Sequence, residues 1–186
     1  MNKLSFKILP SEETNDHEAR ILIDGQDYLG KDYLGVDPVS FFAQTLEKNG
    51  EILVGRCTCG VEGCCDLSLT VSDINNTILW TNNDGLNLSF DKSEYVASIH
   101  QARNDHSWED LKRKVERLVT NILRDSQTKD NYKFDWASAR IKDNQITLSY
   151  IKNDDQKLFY ISWDGITEDN VVIKAQKFHE ERLSSG

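Results

Sequence analysis

The sequence predicts an α+β fold of antiparallel meanders, built as two βββα-like units with a long connecting amphipathic helix. Three observations carry this. Several stretches alternate apolar and polar residues with the two-residue period of a half-buried strand. Residues 108–123 instead place apolar side chains every 3.6 residues. A run of three strands followed by a helix occurs twice, with Trp80 and Trp163 near the ends of the third strands and Asp84-Gly85 and Asp164-Gly165 just behind them. The chain has two prolines, Pro10 and Pro38, and no Gly/Ser-rich or Pro-rich stretch to serve as a linker, so it reads as a single domain over 1–186.

Leu4, Phe6 and Ile8 alternate as a first strand, and Arg20-Ile21-Leu22-Ile23 form a second that stops at the turn pair Asp24-Gly25. The polar segment from Ser11 to Glu18 is expected to be a surface loop, and Gln26 to Val36 a second loop. Asp37-Pro38 has the form of an N-cap with proline at the first helical position. That short helix should bury Phe41, Phe42 and Leu46 and end at Asn49-Gly50. Ile52-Leu53-Val54 then leads a strand into Cys57 and Cys59, and Leu67, Leu69 and Val71 alternate on the return. Asp73-Ile74-Asn75-Asn76 turns the chain into a strand over Thr77 to Thr81. Asp91-Lys92-Ser93-Glu94 has capping-box spacing and opens a helix that carries Tyr95, Ile99 and Ala102 inward. Ser107 should cap the connecting helix, with Trp108, Leu111, Val115, Leu118, Val119, Ile122 and Leu123 on its apolar face. Phe134 to Ile141, Ile146 to Ile151 and Lys157 to Trp163 form a second meander, with Asp143-Asn144 as a two-residue turn. Thr167 caps a last helix that buries Val171, Ala175 and Phe178.

Leu, Ile, Val and Phe supply 49 of the 186 residues, enough for a packed core rather than a disordered chain. The net charge of −9 repels phosphate backbones and argues against a nucleic-acid partner. No apolar run reaches the roughly 18 residues that a membrane span needs. The N-terminal residues read as a strand rather than a secretory signal, which leads to the expectation of a cytoplasmic protein.

All four cysteines fall in Cys57-Thr58-Cys59-Gly60-Val61-Glu62-Gly63-Cys64-Cys65. If Gly60 and Gly63 bracket a four-residue hairpin loop, Cys59 lies opposite Cys64, Thr58 opposite Cys65 and Cys57 opposite Asp66. Residues two apart on a strand, and residues directly opposed, share a face. Cys57, Cys59, Cys64 and Asp66 then project to one side and Cys65 to the other. Three readings are open. In the first, Cys57, Cys59 and Cys64 bind zinc, with Asp66, His100 or His106 as the fourth ligand. Two thiolates of Cys-x-Cys along an extended strand are about 7 Å apart, so this needs a bend. In the second, Cys59 and Cys64 form a redox thiol pair. In the third, the cysteines are small buried hydrophobes in a structural hairpin.

Gly55-Arg56-Cys57-Thr58-Cys59-Gly60-Val61-Glu62-Gly63-Cys64, followed by Leu88-Ser89-Phe90-Asp91, Ser107-Trp108-Glu109 and Trp136-Ala137-Ser138-Ala139-Arg140, resembles a family of uncharacterised bacterial proteins. Matching islands run from about Tyr33 to Gly165. The family carries Cys-Thr-Cys-Gly-x-x-Gly-Cys without a second adjacent cysteine. The resemblance implies a bacterial, cytosolic protein of this fold and assigns no activity.

No nucleophile elbow, phosphate-binding loop, His-Glu-x-x-His pair or dinucleotide fingerprint is present, so no catalytic or cofactor-binding residue is assigned. The four tryptophans suit core packing better than an aromatic groove. The histidines His100 and His106 read as exposed or capping residues, and Arg140 as stacked or salt-bridged. Charges from Glu109 to Arg117 lie at helical spacing and are expected on a solvated face. The leading expectation is a non-catalytic binding protein whose cysteine hairpin holds a structural zinc. Alternatives are an immunity- or inhibitor-like protein that captures a basic partner through its acidic surface, and a thiol-redox sensor or enzyme.

Overall fold

A computed structural model describes residues 1–10, 16–59 and 63–185, the side chains of Ser184 and Ser185 excepted. The loop expected over Ser11 to Glu18 falls partly outside these residues, and the described part from His17 onward is already strand. The fold is α+β with antiparallel sheets. The chain groups into two compact units, Met1–Trp108 and Glu109–Gly186, each with its own core.

In the first unit β1 (Leu4–Pro10), β2 (His17–Ile23) and β3 (Gln26–Asp27) form one antiparallel sheet. Asp24 and Gly25 take positive φ to make its tight turn. A second sheet has the order β4 (Tyr33–Leu34), β5 (Gly50–Cys57), β6 (Leu67–Ile74), β7 (Thr77–Thr81), β8 (Asn87–Asp91). Between β4 and β5 lies α1 (Pro38–Ala43), capped by the Asp37 carboxylate, which accepts from the Val39 and Ser40 N–H groups. The helix ends before Leu46, which is buried from the turn that follows. Asn75 and Asn76 both adopt positive φ and join β6 to β7 as a two-residue hairpin. The segment leading to Asp91, not anticipated as a strand, is β8.

From Asp91 the chain enters α2 (Lys92–Asn104), its cap carboxylate accepting from the Ser93 and Glu94 N–H groups. Tyr95 and Ile99 are buried as the periodicity predicts. The Trp80 indole N–H donates to the Tyr95 hydroxyl at 3.0 Å, and that hydroxyl donates to the Leu46 carbonyl at 2.8 Å. One phenol thus satisfies three elements in the core, the condition under which burying polar atoms is tolerable.

The second unit opens with α3 (Leu111–Leu123), the amphipathic helix read from the sequence. Its cap is Asp110, whose carboxylate accepts from the Arg113 N–H; Ser107 and Trp108 precede the helix. Its sheet has the order β12 (Asp155–Ser162), β11 (Gln145–Lys152), β10 (Lys133–Ser138), β9 (Ser126–Thr128), β13 (Leu183–Ser185). Strand β10 stops at Ser138, so the link to β11 is six residues long rather than the two-residue turn expected at Asp143-Asn144. Interior strand β11 turns Ile146, Leu148 and Tyr150 toward Val115, Val119 and Leu123 of α3 and toward Val171, Ala175 and Phe178 of α4 (Glu168–Arg182). Thr167 precedes α4 without capping it through its side chain, and Asp164 fixes the turn leading into the helix, accepting from the Ile166 and Thr167 N–H groups.

Candidate metal centre

The site is built where β5 changes partners. Its ladder with β6 runs to Gly55 opposite Leu67, with an irregularity between Leu53 and Gly55. Beyond it, Arg56 and Cys57 pair instead with Leu34 and Tyr33 of β4. Gly55 suits this crossing, because a Cβ there would lie 2.9 Å from the Leu29 side chain and 3.1 Å from that of Tyr33, so that both would have to give way. The segment supplying those neighbours is anchored by buried Arg20. Its guanidinium donates to the Asp27 carboxylate and to the Tyr33 and Gly30 carbonyls at 2.6–3.0 Å.

The continuous hairpin register expected from the sequence is therefore not the one formed. Extended to Leu67, it would set Arg56 opposite that residue, whereas the observed partner is Gly55, one position away. The bracketing loop Gly60-Val61-Glu62 lies outside the described residues. After Cys57 the chain turns at Thr58 and Cys59 instead of continuing as a strand, and Gly63 adopts φ +74°. This is the bend that Cys-x-Cys needs. The Sγ atoms of Cys57, Cys59 and Cys64 all lie within 4.8 Å of one another, close enough to hold one metal ion.

Asp66 is not part of that group. Its carboxylate accepts from the Cys57 N–H at 3.0 Å and from the Gly63 N–H at 3.0 Å, one bond from each oxygen. These two bonds hold its carboxyl below the usual carboxylate range. Asp66 is thus a clasp that ties the two ends of the thiol loop together, and both oxygens are already used on backbone. Nor do the histidines His100 and His106, both exposed, join the sulfurs; among the described residues the cluster is of cysteines alone.

Cys65 does not look away from its neighbours. Its Sγ lies 4.0 Å from that of Cys64. Alternation of neighbouring side chains holds only along a strand, and residues 64–65 are a bend. The reading of the cysteines as buried hydrophobes also fails: Cys57 is half-buried and Cys59, Cys64 and Cys65 are exposed. Hydrogen bonds to Cys59 and then Cys65, together with repulsion between the crowded sulfurs, push the Cys64 thiol up to about 12.

Sequence reasoning missed a second polar centre, in the other unit. Glu116 on α3 is buried. It accepts from the Ser138 hydroxyl at 3.0 Å, the Ala139 N–H at 2.7 Å and the Arg140 guanidinium at 2.9 Å, with Arg113 at 3.4 Å. Burial pushes its carboxyl up, opposed by the Ala139 N–H and the Arg113 charge. The Ser138-Ala139-Arg140 stretch of the tryptophan motif is thus a socket for one helix carboxylate, and Arg140 is salt-bridged as expected. The solvated face expected from Glu109 to Arg117 is corrected by the same contacts. Arg113 and Glu116 are buried, and the Glu109 side chain, only 4% exposed, is gripped by Arg117 through both oxygens. The missed signal was an acid three residues after Arg113 with a further arginine just past a strand end.

No family model, curated protein or solved structure matches this chain. Among the described residues, no helix is long and apolar enough to cross a membrane. Chemically, the thiol cluster offers soft sulfur donors to a cation at the surface of the first unit.

Proposed function

We propose that Cys57, Cys59 and Cys64 hold a structural zinc ion, and that the protein is a non-catalytic, cytoplasmic binding protein whose metal-stiffened loop presents a fixed surface to a partner. The observation that carries this reading is the mutual approach of three sulfurs within 4.8 Å. Thiolates at this separation repel one another, and a divalent cation relieves that repulsion while fixing a loop that otherwise relies on two Asp66 bonds. The chain's net charge of −9 favours a cationic partner, whether or not that partner is one an inhibitor-like protein would mask. The resemblance to uncharacterised bacterial proteins accords with a shared loop of this kind.

The thiol-redox reading draws on the exposure of Cys59, Cys64 and Cys65.

Alkylation separates the two. In protein purified without added zinc, Cys59 should resist iodoacetamide although exposed, and a strong chelator should make it react. Rapid alkylation at the same rate with and without chelator would remove the metal reading.

A further inference from the structure

We propose that Cys65 is the fourth ligand, closing the centre as a site of four thiolates. The inference rests on the zinc reading above and names the one ligand that reading leaves open. A tetrahedron of sulfurs about 2.3 Å from zinc has edges of about 3.8 Å. The Cys64–Cys65 separation of 4.0 Å is already near that edge. Cys57, Cys59 and Cys64 supply the opposing face, within 4.8 Å of one another.

Competing fourth ligands are poorly placed. Both Asp66 oxygens accept backbone N–H groups, so a turn of that carboxylate toward the metal would break the clasp holding Cys57 and Gly63. No histidine belongs to the described cluster. Cys65 too stands outside the 4.8 Å group, but its sulfur is already 4.0 Å from that of Cys64, and the exposed side chain has a single torsion by which to swing the sulfur to the metal. Four protein ligands leave no position for water or substrate, the arrangement of a structural rather than a catalytic zinc. Zinc binding forms four Zn–S bonds and releases to solvent the protons of whichever thiols were protonated, with no change in oxidation state.

The test is cobalt(II) substitution of the full chain together with zinc-edge X-ray absorption on the zinc-loaded protein. The wild-type protein should show four sulfur scatterers. Cys65→Ser should keep one cobalt per chain, lose about a quarter of the sulfur-to-cobalt charge-transfer intensity, and move the d–d bands to shorter wavelength. Three sulfurs in the wild type, with an unchanged cobalt spectrum in Cys65→Ser, would overturn the assignment of Cys65 and leave the three-thiolate reading intact. A wild-type chain that takes up neither metal would overturn that reading and this one together. The absorption count on the wild type does not depend on the variant's folding.

Discussion

Glu116 in the second unit and Cys64 in the first each gather several polar neighbours, but the two groups are satisfied in different ways. Glu116 is buried and meets a hydroxyl, a backbone N–H and two guanidinium groups, all from its own unit. Its charge is answered internally, and the product is a helix locked to a strand end. Cys64 is exposed and meets other sulfurs, each as electron-rich as itself. Nothing in that set supplies positive charge. A polar centre that balances its own charge is part of the fold, whereas one that concentrates donors of a single kind at the surface invites a cation.

The largest effect that would test this contrast is on stability. Glu116→Ala leaves Arg113 and Arg140 facing an empty socket, and removing one partner of a buried ion pair costs about 3–5 kcal/mol. Urea unfolding of the variant should show that loss while metal content per chain stays at the wild-type value. A loss below about 1 kcal/mol, the range of a surface ion pair, would mean that the centre is not a buried lock. Metal content that fell with it would break the separation of the two roles.

Asp66→Asn sharpens the other half. An amide has one accepting oxygen, so one of the Cys57 and Gly63 N–H groups loses its partner and the loop loosens. Loss of a group that orients metal ligands lowers affinity by about 10–100-fold, measurable by competition with a zinc indicator. Unchanged affinity would show that the thiols need no clasp.

A smaller effect belongs to Asp164, whose carboxyl the Thr167 and Ile166 N–H groups hold below the usual carboxylate range. A depressed folded-state value stabilises the fold at pH above the unfolded carboxyl's titration and loses that contribution as pH falls through the folded value. Asp164→Ala should therefore lower the melting temperature near neutral pH, with the difference closing in acid. A difference that persisted undiminished in strong acid would assign the effect to something other than the ionised carboxylate of this turn.

Much of this architecture was legible in the sequence because it rests on local periodicity. Leu69 and Val71, or Val115, Val119 and Leu123, declare their buried face by spacing alone. Asp37 and Asp91 announce helix starts by chemistry that acts within three residues. Convergence of Cys57, Cys59 and Cys64 was also anticipated, although through a hairpin register that does not form. What decides the site is non-local: β5 abandons β6 for β4 at Arg56, and Gly55 must clear Leu29 and Tyr33, residues more than twenty positions away. Strand alternation could not foresee that change, so it anticipated neither the Asp66 bonds to the Cys57 and Gly63 N–H groups nor the approach of Cys65 to Cys64. Glu116 was hidden for the same reason, since its socket lies 22 residues downstream at Ser138. Charge alone does not reveal whether a helical acid faces water or a strand end.

Native mass spectrometry of the full chain, purified without added metal, tests the central claim most directly. The account predicts one zinc ion bound per chain, removed by acid or chelator and restored on addition of one equivalent. A metal-free mass under native conditions, unchanged by added zinc and with all four thiols freely titratable, would contradict it.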